Sequence, residues 1–240
     1  MGFDEFLSIC PAYSALRTYI SDTAFEPVSF AAGNEEIAVI ALPSYGGRVP
    51  ALAAERLKKV QGNGMPCVLL CVYGNRAYED TLVEMEDLAK ACGFSVVAAV
   101  AAVAEHSIMH QYAAGRPDAT DEKNMKEIGA KILEKLSGSL VSDSFVIPGN
   151  RPYKKAGGVG LVPKADSACV NCGLCANQCP ADAIDNTNLK TADKTKCISC
   201  MRCVVKCPKN ARNVNSAMVA AASLALKKAC SVRKECEYYL

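Results

Sequence analysis

Cys169-Val170-Asn171-Cys172-Gly173-Leu174-Cys175-Ala176-Asn177-Gln178-Cys179-Pro180 is followed, after a short interval, by Cys197-Ile198-Ser199-Cys200-Met201-Arg202-Cys203-Val204-Val205-Lys206-Cys207-Pro208. Every cysteine of the first run recurs 28 positions later, so the stretch is an internal duplication. Soft thiolates at this density select soft metal centres. Structural zinc favours two separated ligand pairs rather than runs of four closed by proline. A disulfide framework suits a secreted protein, whereas Met1-Gly2-Phe3-Asp4-Glu5 has neither the basic flank nor the apolar core of a signal peptide.

Outward from the cysteines, the interval holds Ala183-Ile184-Asp185 and Leu189-Lys190-Thr191 on either side of Asn186-Thr187-Asn188, a short hairpin pattern. The whole unit is too small to fold on an apolar core alone. It resembles the bacterial two-cluster ferredoxins. That resemblance implies two [4Fe-4S] clusters with crossed ligation. Cys169, Cys172, Cys175 and Cys207 would hold one, and Cys197, Cys200, Cys203 and Cys179 the other. The remaining cysteines, Cys10, Cys67, Cys71, Cys92, Cys230 and Cys236, show no ligand spacing and read as small hydrophobes or idle thiols. So many thiols fit a reducing compartment and an anaerobic cell.

The chain of 240 residues has room for one ordinary domain beside this small one. Residues 1–136 alternate apolar strands with amphipathic helices. Expected strands are Phe3 to Ile9, Pro27 to Phe30, Ile37 to Leu42, Pro66 to Val72 and Ser95 to Val103; expected helices are Ser14 to Asp22, Pro50 to Gln61, Ala77 to Cys92 and Asp121 to Leu136. Such alternation gives an α/β fold with a parallel sheet covered on both faces. Five strands suit a doubly wound, flavodoxin-like sheet in the order 2-1-3-4-5, with ligands beyond the carboxyl ends of its strands.

Two turns at that end carry a further resemblance. Ser44-Tyr45-Gly46-Gly47 is similar to the flavin-ring loop of flavodoxin-like proteins, and Tyr73-Gly74-Asn75, with Tyr78 beyond it, is similar to their second ring loop. Glu105-His106-Ser107 resembles the segment after the fifth strand in flavodoxin–ferredoxin fusion proteins. From about Phe3 to Arg212 the chain therefore resembles that fusion family. The resemblance implies FMN bound by Ser14, Ser44, Tyr45, Gly46, Gly47, Tyr73, Gly74, Asn75 and Tyr78. The first loop departs from the family pattern. It reads Cys10-Pro11-Ala12-Tyr13-Ser14-Ala15-Leu16 and keeps only Ser14 among the expected hydroxyls for the flavin phosphate. A flavodoxin-like scaffold that has lost its cofactor and serves as a docking module is the alternative.

Residues 137–165 read as a linker, 166–213 as the two-cluster unit, and 214–240 as a C-terminal helix, from Ser216 to Lys228, with a tail. In the linker, Arg151, Lys154 and Lys155 form a basic cluster that meets the acidic first domain, meets a phosphate or stays solvated. Residues 1–136 carry 12 Lys/Arg against 18 Asp/Glu, whereas 169–213 carry seven Lys/Arg and three Asp. Opposite signs suit docking of the halves on each other or on a second copy, as in a homodimer. Basic residues do not cluster with stacking aromatics, so nucleic acid is not expected. No apolar run reaches membrane-spanning length, and a cytoplasmic protein is expected. His106 and His110 read as exposed loop histidines, and no nucleophile–base constellation stands out. The expected function is electron transfer between two clusters and a flavin, with redox proteins as partners. A flavin-dependent reductase of a small molecule is a third reading.

Overall fold

Three of the apolar runs become neighbouring strands of one sheet. In the computed structural model, residues 20–23, 25–30, 36–138, 145–157 and 160–240 are described. The elements are β1 (Ala38–Pro43), α1 (Ala51–Leu57), β2 (Pro66–Tyr73), α2 (Thr81–Ala91), β3 (Ser95–Val103), α3 (Ala119–Ser137), β4 (Lys164–Ala165), α4 (Leu174–Asn177), α5 (Arg202–Val205), β5 (Arg212–Asn213), α6 (Ser216–Cys230) and β6 (Glu237–Tyr239). Strands β1, β2 and β3 pair in parallel, and Ile40 opposite Leu69 and Leu69 opposite Ala99 fix the register.

The pleat sends successive side chains of β2 to opposite faces. Cys67, Leu69 and Cys71 join Leu57 of α1 and Leu82, Met85 and Leu88 of α2 on one side. Val68 and Leu70 join Met125, Ile128 and Ile132 of α3 on the other. The sheet is thus covered on both faces, and the stripe along α3 is the one its helical spacing predicts. α3 opens with a reciprocal cap, in which Asp118 accepts from the Asp121 amide and Asp121 accepts from the Asp118 amide.

The described residues form only part of the five-stranded order 2-1-3-4-5: the expected third, fourth and fifth strands, here β1, β2 and β3, lie side by side in that order. Their main sheet has four strands in the order β1-β2-β3-β6. The expected strand Phe3 to Ile9 lies outside the described residues. Pro27 to Phe30 contributes only an isolated bridge from Ser29 to Gln61. The far edge of β3, where the expected order ends, is taken by β6, which runs antiparallel with Tyr239 opposite Ala99 and Glu237 opposite Ala101. An edge of β3 whose residues 98–103 are fully buried needs a partner for its backbone groups, and the C-terminal segment supplies it.

Residues 150–154 are fastened to the body. Asp80, 1 % exposed at the start of α2, accepts from the Asn150 amide at 2.8 Å, its Nδ2 at 3.0 Å and the Lys154 amide at 2.7 Å. Arg151 pairs with Asp87 and Glu86, and Lys154 with Glu79. Of the expected fates of the basic cluster, Arg151 and Lys154 thus meet the acidic first domain. α6 packs Val219, Ala222 and Leu226 against Met109 and Tyr112 in the loop after β3.

The Lys154 amide, with the Asn150 donors, holds the Asp80 carboxyl below its ordinary value. A depressed folded-state value means that this stabilisation is complete above the unfolded value, near pH 4, and is lost as pH falls through the folded one. Asp80→Ala should cost about 3 kcal/mol in urea denaturation at neutral pH, since it leaves buried amides unpaired. The gap between wild type and Asp80→Asn should narrow on acidification from about pH 5 to about pH 3. A gap independent of pH would show that the carboxylate charge contributes nothing.

Candidate metal centre

Each cysteine run folds in the same way. A loop carries the first two cysteines, and a four-residue helix carries the third: Cys175 in α4 and Cys203 in α5. Left-handed residues recur at matching positions of the repeat. Asn171 and Ser199 have φ of 55° and 53°, Gly173 and Met201 have 77° and 59°, and Asp182 and Asn210 have 48° and 49°. Left-handed turns in such loops gather backbone N–H groups into concavities that suit anions, iron–sulfur centres among them. A methionine at 59° is unusual for a side chain with a β-carbon. Here it marks where the duplication imposes the glycine's geometry on another residue.

The fourth cysteines repeat as well. The Ala183 amide donates to Cys179 Sγ at 3.3 Å, and the Ala211 amide to Cys207 Sγ at 3.3 Å. Burial pushes the Cys207 thiol up, but amide donors from Ala211, Lys209 and Arg212 outweigh it and hold the thiol below its ordinary value. Burial pushes Cys203 up to about 11, and Arg212 works against that rise.

Cys179, Cys197, Cys200 and Cys203 line one cavity, walled by Pro180, Ile184, Ile198 and Met201. One cysteine of the first run is thereby placed with three of the second. Among the described residues, no three His, Cys, Asp or Glu side chains converge on a point suited to a single metal ion. Thiols spread around an apolar-walled cavity, with amides aimed at sulfur, fit a multi-iron cube better than a lone zinc ion. Cys172 is exposed, whereas the other seven are partly covered.

This cavity side of the unit faces the α/β body. Arg56 of α1 donates to the Pro180 carbonyl at 2.9 Å, and Arg202 of α5 donates to the Ser21 carbonyl and hydroxyl at 2.8 and 2.7 Å. Burial, reinforced by nearby Cys200 and opposed by Arg202, pushes the half-buried Tyr45 hydroxyl up to about 12.

The residues whose resemblance points to a flavin are brought to different uses. Ser14 lies outside the described residues. Ser44 shares a 2.7 Å hydrogen bond with Thr81. Gly46, with φ of 62°, lies so close to the Gly157 carbonyl that a β-carbon would stand 2.8 Å from it, and one on Gly47 would strike Glu79. Tyr73 is in the core and Gly74 backs onto His106. Asn75, 3 % exposed, donates through Nδ2 to the carbonyls of Cys230 and Val232 at 3.0 and 2.9 Å, and its Oδ1 accepts from the Lys234 amide. Tyr78 donates to Glu237 at 2.6 Å and shares a 2.7 Å bond with Tyr239. The second ring loop is therefore engaged by the chain's own C-terminal segment. The signal for this was absent locally, because the partners lie far along the sequence.

The histidines divide. His106 is half-buried, its pKa is lowered chiefly by burial, and its Nδ1 accepts from the Ile108 and Met109 amides. It closes a loop rather than facing solvent. His110 is exposed and pairs with Glu105 at 2.6 Å.

Residues 168–212 match a family model described as a 4Fe-4S dicluster domain. The match covers all eight cysteines of the duplication and leaves out the α/β body. No curated protein matches the chain. The dicluster domain supports electron transfer through iron–sulfur clusters and gives no support for FMN. No helix among the described residues is long and apolar enough to cross a membrane.

Cys67 and Cys71, fully buried in β2, sit apart from the dicluster domain. Burial pushes Cys67 up to about 12 and Cys71 higher still. Since the thiolate is the reactive form, both should resist iodoacetamide in the native protein at about pH 8 and react fully once it is unfolded. Rapid native labelling of either, mapped by peptide mass spectrometry, would contradict their place in the core.

Proposed function

We propose that the chain is an electron-transfer protein whose eight cysteines hold two [4Fe-4S] clusters, and whose α/β body is a flavin-free docking module that presents them to a redox enzyme. One-electron transfer is the chemistry such clusters supply when bound. The chain's residues hold and enclose them. Cys179 with Cys197, Cys200 and Cys203 would ligate one, and Cys169, Cys172, Cys175 and Cys207 the other. The shared cavity of the first four supports the crossed assignment. Exposed Cys172 offers a face to a partner protein. The domain limits that go with this reading are a body of residues 1–136, a connection of 137–165, a dicluster unit of 166–213 and a C-terminal helix and tail of 214–240.

The observation that favours a docking module over a flavoprotein is the saturation of Asn75. Its side-chain donors and its acceptor are already spent on the backbone of residues 230–234. A second reading retains FMN, and the nearness of Tyr45 to Cys200 favours it, since a ring stacked there would lie beside the second ligand set. A reductase of a small molecule would build on that same reading.

Anaerobic purification, iron analysis and acid extraction of flavin decide between them. The docking-module reading expects about eight irons per chain and no flavin, even after incubation with FMN. One FMN per chain would replace it with the second reading. Iron near zero after reconstitution would end both. The crossed assignment has its own check. Cys179→Ser should perturb the same electron paramagnetic resonance signal as Cys197→Ser, and leave the signal sensitive to Cys169→Ser intact. Grouping of Cys179 with Cys169 would overturn it.

A further inference from the structure

The repeat gives Arg212 a counterpart. Cys179-Pro180-Ala181-Asp182-Ala183-Ile184 aligns with Cys207-Pro208-Lys209-Asn210-Ala211-Arg212 at the 28-residue period. Ile184 is 3 % exposed and sits in the small apolar cluster of the dicluster domain. Arg212 is 1 % exposed. One half of the duplication therefore buries an aliphatic side chain where the other buries a guanidinium. A buried cation is strongly unfavourable unless opposite charge and hydrogen bonds meet it.

The bonds given for Arg212 meet only part of that need. Nη1 donates to the Leu189 carbonyl at 2.6 Å, and Nη2 to the Pro163 carbonyl at 3.0 Å. Nε is buried and has no partner among the described residues. No carboxylate pairs with the guanidinium there. What lies beside it is sulfur, which would be thiolate with a cluster bound. Nη1 approaches Cys175 Sγ at 3.5 Å, and the guanidinium stands near enough to Cys203 to work against the rise that burial gives its thiol. Cys175 and Cys203 are the same position of successive runs, so under the crossed assignment they belong to different clusters.

We propose that Arg212 is a positioning residue shared by both cluster sites: a buried cation that compensates their negative charge, orients Cys175 and Cys203, and raises the reduction potential of each cluster. The proposal rests on the ligand assignment above. One-electron reduction adds a negative charge to a site. A fixed cation in a water-poor interior favours the more negative state, and donors to cluster sulfurs act in the same direction. The unpartnered Nε–H is a further donor in the same pocket.

The test compares wild type, Arg212→Ile and Arg212→Lys, purified without oxygen. Iron is counted, and the midpoint potential of each cluster is followed by electron paramagnetic resonance during titration with dithionite. Arg212→Ile installs the side chain that the other half already carries. With about eight irons retained, it should lower both potentials, while Arg212→Lys stays nearer wild type. Loss of iron from Arg212→Ile alone, with Arg212→Lys fully loaded at near wild-type potentials, also supports the proposal, because lysine keeps the cation that isoleucine removes. Wild-type potentials in a fully loaded Arg212→Ile overturn it, as does a shift confined to one cluster. Loss of iron from both variants also overturns it, in favour of a clamp on the Leu189 and Pro163 carbonyls. Wild type without iron removes the cluster reading itself, whereas loaded wild type with unmoved variants removes only the role given to Arg212.

Discussion

Gathering eight thiols into so short a stretch is a problem of charge before it is one of packing. Thiolates repel one another, and the dicluster domain has little apolar material to offset that repulsion; Ala176, Ile184 and Leu189 are the buried members of its core cluster. The geometry offers other means. Left-handed residues recur at matching places, the Ala183 and Ala211 amides donate to the fourth cysteines, and a buried arginine lies against Cys175. The ligand loops are organised by polar groups aimed at sulfur, and bound clusters would supply what a larger core otherwise provides.

The α/β body solves a different problem. Its sheet is buried by ordinary aliphatic packing on both faces, and its core is built without metal-binding side chains at its centre other than Cys67 and Cys71, which are buried as small hydrophobes. The polar ties concentrate where chain segments from outside the alternating pattern are recruited. Asp80 receives residues 150 and 154, Asn75 receives residues 230–234, and Arg116, paired with Asp121, donates to the Lys234 carbonyl at 2.6 Å. These ties bring the segments before and after the dicluster domain back to one body.

What the sequence discloses follows the range of the interactions involved. Cysteine ligation is local, so the spacing of Cys169 to Cys207 carries it openly. The buried strands β1 to β3 announce themselves as unbroken apolar runs, and α3 as the Met125, Ile128, Ile132 stripe. β6 is hidden because Glu-Tyr-Tyr has neither alternation nor aliphatic content; its pairing is decided by the open edge of β3. Arg212 is hidden for a related reason. An arginine between Ala211 and Asn213 looks like surface, and its depth emerges only when two halves close around it. The turn from Tyr73 to Tyr78 misleads in the opposite direction. Its glycine, amide and phenols suit a flat ring, yet the Cys230 and Val232 carbonyls and the Glu237 carboxylate, more than 150 residues away, take up its hydrogen bonds.

The recruitment of residues 230–239 has a consequence for what happens when metal is lost. With one end anchored through Lys154 and the other through Asn75 and β6, the dicluster domain is a closed insert rather than an appended tail. A tethered loop has fewer conformations to lose than a free chain on regaining order. An insert tied at both ends would therefore stay close to its frame even where its own loops lose their order.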